Sequence, residues 1–131
     1  MLKVEKIKQD KERYLPLLRL ADDNEERIQE YLERYDLYIL FSGATAVSQA
    51  VVEQADSICN IISIATDPKH RNMGYAERLV NYLKDDYENT AQYISIKVPK
   101  KSVPAFHALG FISARMEGEF VLMKKDLKEN Y

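Results

Sequence analysis

Apolar residues recur along this chain with two different periods, and each change of period marks the boundary of a predicted element. Short runs rich in β-branched and aromatic residues predict strands, whereas apolar residues three or four positions apart predict amphipathic helices. The predicted strands cover residues 2–7, 37–41, 46–52, 58–65, 93–98, 111–114 and 120–123. The predicted helices cover residues 14–20, 24–35, 76–87 and 103–109. This mixture of elements indicates an α/β or α+β domain.

The stretch from Ile58 to Tyr87 joins a strand, a polar turn and a helix. Its strand has apolar residues at both odd and even positions, as expected for a central strand covered on both faces. The first amides of the following helix lack intrahelical partners and lie at the positive end of the helix dipole. Arg71 adds a positive charge, and Gly74 removes a Cβ where a ligand would approach the backbone. The turn therefore predicts a phosphate or pyrophosphate site, although the same residues also occur in turns that only close a loop.

Local composition also predicts how the helices begin and end. Asp23 followed by Glu26 fits a capping box with Asp in place of Ser or Thr. Ser102 is expected to cap the last helix through its side chain, and Gly110 to end that helix in the left-handed conformation. Residues 53–56 are expected to form a polar connection into the next strand.

Length and charge narrow the class of protein. At 131 residues the chain is expected to form one domain, 1–131, with a frayed polar tail at 124–131. The 19 basic and 21 acidic residues give a net charge of -2, which argues against a nucleic-acid partner bound by phosphate neutralisation. The N-terminus is too charged for a signal peptide, and no apolar run reaches membrane-spanning length. We therefore expect a cytoplasmic protein with no membrane partner.

The single cysteine, Cys59, lies in the most apolar run of the chain. One cysteine excludes an intrachain disulfide, and its position predicts a buried, unreactive thiol in a reducing compartment. A catalytic cysteine and a bound metal are not expected.

Two motifs carry a resemblance to a known family. The turn reads Arg71-Asn72-Met73-Gly74-Tyr75-Ala76, which fits the pattern Q/R-x-x-G-x-G/A, and residues 106–111 read FHALGF, which fits aromatic-x-x-L-G-F. In this order the motifs resemble those of the GNAT superfamily of N-acetyltransferases. The resemblance implies a single-domain GNAT-like fold, with about four helices flanking a mixed, mostly antiparallel sheet of about six to seven strands. It also implies acetyl-CoA as cosubstrate.

The same resemblance implies which residues bind acetyl-CoA. The backbone of the strand before the turn is expected to pair with the pantetheine arm in the manner of an added strand, and the turn amides to hold the pyrophosphate. The expected cofactor-binding residues are Ile64, Ala65, Thr66, Arg71, Asn72, Met73, Gly74, Tyr75 and Ala76.

Three carboxylates are candidates for binding a cationic acceptor. The segment between the first two helices borders the acceptor pocket in GNAT proteins, which suggests Asp22 and Asp23, and Glu117 lies at the predicted turn before the last strand. For Asp23 the capping role is the simpler interpretation. The acceptor is expected to be a small-molecule or peptide amine, and the oligomeric state is left open between monomer and homodimer.

The sequence departs from the family pattern at both positions expected to transfer protons. Asn60 stands where many GNAT enzymes have a Glu base, and Phe106 stands where they have a Tyr acid. At neutral pH an amine with a pKa of about 10.4 costs ~4 kcal/mol to deprotonate, and a thiolate with a pKa of about 8.5 costs ~2 kcal/mol to expel unprotonated. Asn60 is expected to hold a water that relays the amine proton, whereas Phe106 can donate none.

Two histidines and two lysines lie close to these motifs. His107 is about 100° round the helix from Phe106 and is expected to point away from the reaction centre. His70 is expected to be a loop histidine. Lys100 and Lys101 either contact a phosphate of the cofactor or form a solvated charge run.

Two classes of function fit these observations. The first is an N-acetyltransferase that transfers acetyl from acetyl-CoA to a primary amine in a ternary complex. The second is a degenerate member of the same family that binds acetyl-CoA as a sensor or partner protein, an alternative kept open by the missing acid and base. A nucleotide-hydrolysing site is disfavoured because the turn lacks the G-K-[ST] sequence.

Overall fold

A computed structural model describes residues 1–127. Seven strands form one sheet in the order β1-β2-β3-β4-β5-β7-β6. The strands are β1 (Leu2–Ile7), β2 (Asp36–Ser42), β3 (Thr45–Ala55), β4 (Ile58–Thr66), β5 (Tyr93–Pro99), β6 (Ile112–Glu117) and β7 (Phe120–Asp126). Every neighbouring pair is antiparallel except β4 and β5, which are parallel. The predicted single domain with a mixed, mostly antiparallel sheet is confirmed.

Four α-helices cover the two faces of the sheet, as predicted. They are α1 (Leu15–Arg19), α2 (Glu25–Arg34), α3 (Tyr75–Tyr87) and α4 (Val103–Ala108). Residues of α1 and α2 belong to one apolar core, and residues of α3 and α4 to the other. Three short 3-10 turns, Lys11–Tyr14, Pro68–His70 and Lys100–Ser102, precede α1, α3 and α4.

β2 is buried on both faces, which explains its unbroken apolar run. Leu37 and Ile39 belong to the core of α1 and α2, whereas Tyr38 and Leu40 belong to the core of α3. Alternate residues of a strand point to opposite faces, so a strand between two layers of helices needs apolar residues at both odd and even positions. Each such side chain contributes about 1.5–3 kcal/mol by its burial.

Two of the predicted helix caps are wrong. Asn24, not Asp23, caps α2, because its side-chain oxygen accepts the Arg27 amide at 3.1 Å. The cap moves by one residue because Asp22 accepts the Asn24 amide at 2.9 Å and so closes the turn before the helix. Ser102 forms no side-chain cap, because the 3-10 turn that contains it leads directly into α4.

The end of α4 and the ends of β3 and β7 give one confirmation and two corrections. Gly110 has a φ of 95°, which confirms the predicted left-handed end of the helix. β3 extends through Ala55 to a two-residue turn, so residues 53–56 are not a loose connection but continue the hairpin with β4. β7 extends through Asp126, and Leu127 is buried, so the chain does not fray at residue 124. The rest of the expected tail, residues 128–131, lies outside the described residues.

Within residues 1–127 no helix combines the length and the hydropathy that crossing a lipid bilayer requires.

Candidate functional site

The two parallel strands separate part-way along the sheet. Ile58–Ile61 of β4 pair with Tyr93–Ile96 of β5, and no pairing joins these two strands beyond that point. A bulge lies at the same place, because consecutive residues of β3 pair with Ile61 and Ser63, leaving Ile62 as the extra residue. The second half of β4 therefore presents a free backbone edge to the gap.

A cleft of about 500 Å³ opens beside this free edge. It is bounded by the end of β4, the turn that follows, the start of α3 and one side of α4. Eight of the nine residues expected to bind the cofactor line it: Ile64, Ala65, Thr66, Arg71, Asn72, Gly74, Tyr75 and Ala76. Met73 does not line the cleft, and its side chain is 57% exposed. The structure thus brings the expected residues together, and their binding role stays a prediction.

The turn between β4 and α3 is shaped by its own hydrogen bonds. Asp67 accepts the Lys69 amide at 2.9 Å through its carboxylate and the His70 amide at 2.8 Å through its carbonyl. Arg71 then leaves the turn in an extended conformation, and its Nε donates to the Thr66 carbonyl at 3.3 Å. This contact keeps the guanidinium beside the end of β4.

Two left-handed residues lead into α3. Asn72 has a φ of 64° and Gly74 a φ of 76°. Gly74 is the N-cap residue of α3 and offers no side chain to the first helical amides. A Cβ built on Gly74 would meet no protein atom within 4 Å, so the space before these amides is open. Free amides at the positive end of a helix, beside Arg71, are the groups expected to bind a phosphate, and this role stays a prediction.

His70 also lines the cleft, which the sequence did not predict. Its ring stacks on Tyr75 with centroids 6.4 Å apart, and its Nδ1 lies 3.9 Å from Asp67 Oδ2. That nitrogen is buried and has no hydrogen-bond partner among residues 1–127. The spacing of Asp67 and His70 across one tight turn is the signal that could have revealed this position. His107, in contrast, is exposed on α4 and does not line the cleft.

A second cavity, of about 240 Å³, lies in the gap between β4 and β5. It shares Ile64 and Phe106 with the large cleft. Its polar side chains are those of Ser63, Lys97 and Ser102. None of these three was predicted as a site residue, because the separation of the two strands depends on long-range pairing that no local pattern reveals.

Asn60 and Phe106, the two predicted catalytic positions, lie in different surroundings. Phe106 stands on α4 where the two cavities meet. Asn60 lies in the paired part of β4, opposite Ser95, whose hydroxyl donates to the Asn60 side-chain oxygen. Asn60 lines neither of the two cavities. Its role as a water relay stays a prediction, which this position does not favour.

The predicted acceptor carboxylates line neither cavity. Asp22 forms an ion pair with Arg27 at 2.7 Å and accepts the Tyr31 hydroxyl at 2.9 Å. The Arg27 hydrogen bond, helped by the other two donors, holds the pKa of Asp22 well below its usual range. Burial and the bond to Asp22 raise the pKa of Tyr31 to about 12.

The other charged candidates lie on the surface. Asp23 is exposed, and Glu117 is paired with Arg115 at 3.1 Å. Lys100 and Lys101 are exposed in the 3-10 turn before α4 and line neither cavity.

A known protein family matches most of the chain. A family model described as an acetyltransferase (GNAT) domain matches residues 11–124. The chain belongs to the GNAT acetyltransferase family. Both sequence motifs lie within the matched range. No curated protein matches this GNAT chain at a significant level.

Solved GNAT structures share the fold over nearly the whole chain. A GNAT family acetyltransferase from Elizabethkingia anophelis with acetyl-CoA bound has a TM-score of 0.84 at 17% identity, covering 95% of this chain and 97% of its own. A Bacillus subtilis acetyltransferase in complex with CoA has a TM-score of 0.82 at 19% identity, covering 96% and 99%. The ribosomal-protein-S18-alanine N-acetyltransferase from Escherichia coli has a TM-score of 0.82 at 15% identity, covering 100% and 97%. At these identities the likeness establishes a shared fold.

Proposed function

We propose that this GNAT protein transfers the acetyl group of acetyl-CoA to a primary amine, by direct attack in a ternary complex. The observation that carries the proposal is the large cleft, in which the free edge of β4 leads to the anion-binding turn and the start of α3. Acetyl-CoA has the matching chemistry, since an extended pantetheine arm with amide groups is joined to a charged pyrophosphate. The acetyl-CoA and CoA bound in two of the similar structures support the same cosubstrate here.

Each part of acetyl-CoA has a complementary part of the chain. The free backbone of residues 64–66 hydrogen-bonds the pantetheine arm as an added strand would. The amides that follow Gly74, together with Arg71, bind the pyrophosphate. The thioester then lies where Ile64 and Phe106 join the two cavities, and the acceptor enters through the smaller one.

Catalysis in this arrangement rests on positioning and on polarisation of the thioester carbonyl by a backbone amide of β4. The neutral amine attacks the carbonyl carbon, the carbon–sulfur bond breaks, and the amine gives its proton to water. Because Phe106 has no proton to donate, the sulfur leaves as a thiolate at a cost of ~2 kcal/mol at neutral pH. Because Asn60 is bonded to Ser95 away from both cavities, we assign the proton transfer to water entering the cleft.

The proposal is tested by measuring CoA release over a panel of amines. We expect release above the hydrolysis background with at least one amine, and a loss of about 100-fold or more in Gly74→Glu, whose carboxylate would occupy the anion site. Gly43→Glu is the matched control, because Gly43 also has a positive φ and open space around it but lies in the β2–β3 turn. Equal activity of the two variants would contradict the proposed cofactor site.

A sensor or partner protein that binds acetyl-CoA without turnover is the second candidate. The observation that favours it is the lining of the smaller cavity, which within residues 1–127 contains no carboxylate or histidine to accept the amine proton. Binding of acetyl-CoA with no CoA release over a broad amine panel would support this candidate over the enzyme.

A further inference from the structure

The smaller cavity is lined by hydrogen-bond donors and apolar groups. Within the part of the chain that the structure describes, the only charged residue that lines it is Lys97. The hydroxyls of Ser63 and Ser102 are the other polar groups, and the remaining lining residues are apolar. A cavity of this composition repels a cation and attracts an anion.

Lys97 has no carboxylate partner in the part of the chain that the structure describes. It lies on β5 between Ile96 and Val98, which are buried in the core of α3, so its own side chain projects from the opposite face of the sheet. Its ammonium nitrogen lies 5.9 Å from the centre of the Phe120 ring. Within residues 1–127 it forms no ion pair. Phe120 lies on β7, across β5 from the gap, so the unpaired side chain would turn away from this ring to bind a ligand in the cavity.

Ser63 is held in place by a fully buried glutamine. Gln49 is 0% exposed, and its Nε2 donates to Ser63 Oγ at 2.8 Å. Because this bond uses the serine oxygen as acceptor, the serine proton is left to donate. The Gln49 carbonyl oxygen has no partner among residues 1–127.

We infer that the acceptor is an amine that also carries a carboxylate, bound by the Lys97 ammonium and the Ser63 hydroxyl. This inference rests on the proposed acetyl transfer and names its acceptor class. Amino acids are the smallest molecules that combine the two groups. The cavity of about 240 Å³ corresponds to roughly eight waters at about 30 Å³ each, which is room for a small amino acid. Polyamines and aminoglycosides, in contrast, are repelled by Lys97.

The test compares three sets of acceptors: amino acids, the amides of the same amino acids, and aliphatic diamines. CoA release is measured for each. We expect kcat/KM for the best amino acid to exceed that for its amide by about tenfold or more, as for loss of a charge-assisted hydrogen bond. In Lys97→Met we expect KM for the amino acid to rise by a similar factor while the values for the amide stay within about twofold. Lys97→Arg should retain the preference, and Ser63→Ala should weaken it.

Lys124→Met is the matched control. Lys124 lies on β7 next to β5, also has its ammonium over an aromatic ring, and lines neither cavity. Equal use of acid and amide, a preference for diamines, or equal effects of Lys97→Met and Lys124→Met would overturn the inference.

A binding measurement separates this inference from the proposed reaction. Calorimetry with amino acids and diamines added to the CoA-saturated protein reports acceptor binding without turnover. Amino-acid binding that is weakened in Lys97→Met would support a carboxylate-binding site at Lys97 even if no acceptor is acetylated. Turnover of diamines alone would leave the acetyltransferase intact and overturn the acceptor class.

Discussion

Ile64 on β4 and Phe106 on α4 are the two residues shared by the linings of the large cleft and the smaller cavity. On one side of this pair the cleft reaches the turn before α3, and on the other side the smaller cavity is lined by Lys97 and Ser63. In the proposed reaction, the acetyl group is therefore transferred beside these two side chains.

The position of Phe106 predicts that a tyrosine there would increase turnover. In Phe106→Tyr a phenol near the sulfur would protonate the leaving thiolate and recover up to ~2 kcal/mol, a factor of up to about 30 in kcat. The measurement is kcat at saturating acetyl-CoA. Phe41→Tyr is the control, because Phe41 is also half-buried but lines neither cavity. A folded Phe106→Tyr protein with unchanged or lower kcat would contradict the position assigned to the thioester.

Asp22 is predicted to stabilise the fold and not to bind the acceptor. Asp22→Asn weakens the bonds to Arg27 and Tyr31, so we expect the free energy of unfolding to fall by about 1–3 kcal/mol with KM for the acceptor unchanged. Asp23→Asn, in the exposed neighbour, should change it by less than about 0.5 kcal/mol. Urea unfolding and steady-state kinetics check both expectations. A raised acceptor KM in Asp22→Asn would return this carboxylate to the acceptor site.

The contribution of Asp22 should also depend on pH in one direction. Its folded-state pKa is lowered, chiefly by the Arg27 hydrogen bond, whereas an unfolded Asp has a pKa of about 3.9. The stabilisation is therefore complete above about pH 5 and is lost as the pH falls through and below about 3.9. The difference in unfolding free energy between the wild type and Asp22→Asn should shrink at low pH. A difference that stays constant down to pH ~2 would be inconsistent with this assignment.

A buried tyrosine pair at the other end of the sheet predicts alkaline sensitivity. The Tyr38 and Tyr87 hydroxyls lie 2.9 Å apart and bond to Asp86 and Asp36. Burial is the main cause that raises the pKa of Tyr87 well above its usual range, whereas an unfolded phenol ionises near about 10. Stability is thus complete below about pH 10 and falls above it, because only the unfolded state ionises there. Unfolding free energies measured from pH 8 to about 11 check this direction.

The same pair can be tested by removing one hydroxyl. Tyr87→Phe should lower the free energy of unfolding by about 1–3 kcal/mol, since it leaves buried partners unpaired. Tyr82→Phe is the control on the same helix, because Tyr82 is 37% exposed. If the two variants were equally stable, the buried network would contribute nothing measurable.

Cys59 should be unreactive in the folded protein. Its side chain is fully buried, and burial raises the pKa of its thiol to about 12. A disulfide reagent such as DTNB at pH 8 should therefore react with it only after unfolding in urea. Rapid reaction of the native protein would show that the β4 core is more accessible than its packing indicates.

Local signals predicted the elements and most of the residues of β4, the turn and α3 that line the cleft. The turn around Gly74 was predictable because its chemistry depends on neighbours in sequence: a strand end, a positive charge and a helix start. Gly110 was predictable for the same reason. The cap of α2 was wrongly assigned to Asp23. Asp22, Asp23 and Asn24 each carry a side-chain oxygen that can accept a backbone amide, and the sequence alone does not decide which of them caps the helix.

Long-range pairing explains the site residues that the sequence did not reveal. Whether β4 and β5 separate before or after Asn60 depends on the bulge at Ile62 and on the register with Ser95, which are set by strands distant in the chain. From the sequence, Lys97 is an ordinary exposed residue of a strand. Only the separation of β4 and β5 shows that it also lines a cavity. The position of Asn60 and the cavity beside Lys97 therefore could not be predicted from the sequence.

The central claim is that the turn around Gly74 binds the charged part of acetyl-CoA, and isothermal titration calorimetry tests it most directly. The account predicts that acetyl-CoA and CoA bind the wild type and Gly43→Glu with the same affinity and one-to-one stoichiometry. It predicts that binding to Gly74→Glu is weakened by about 100-fold or more, as for a carboxylate placed at an anion site. No binding to the folded wild type, or equal binding to both variants, would contradict it.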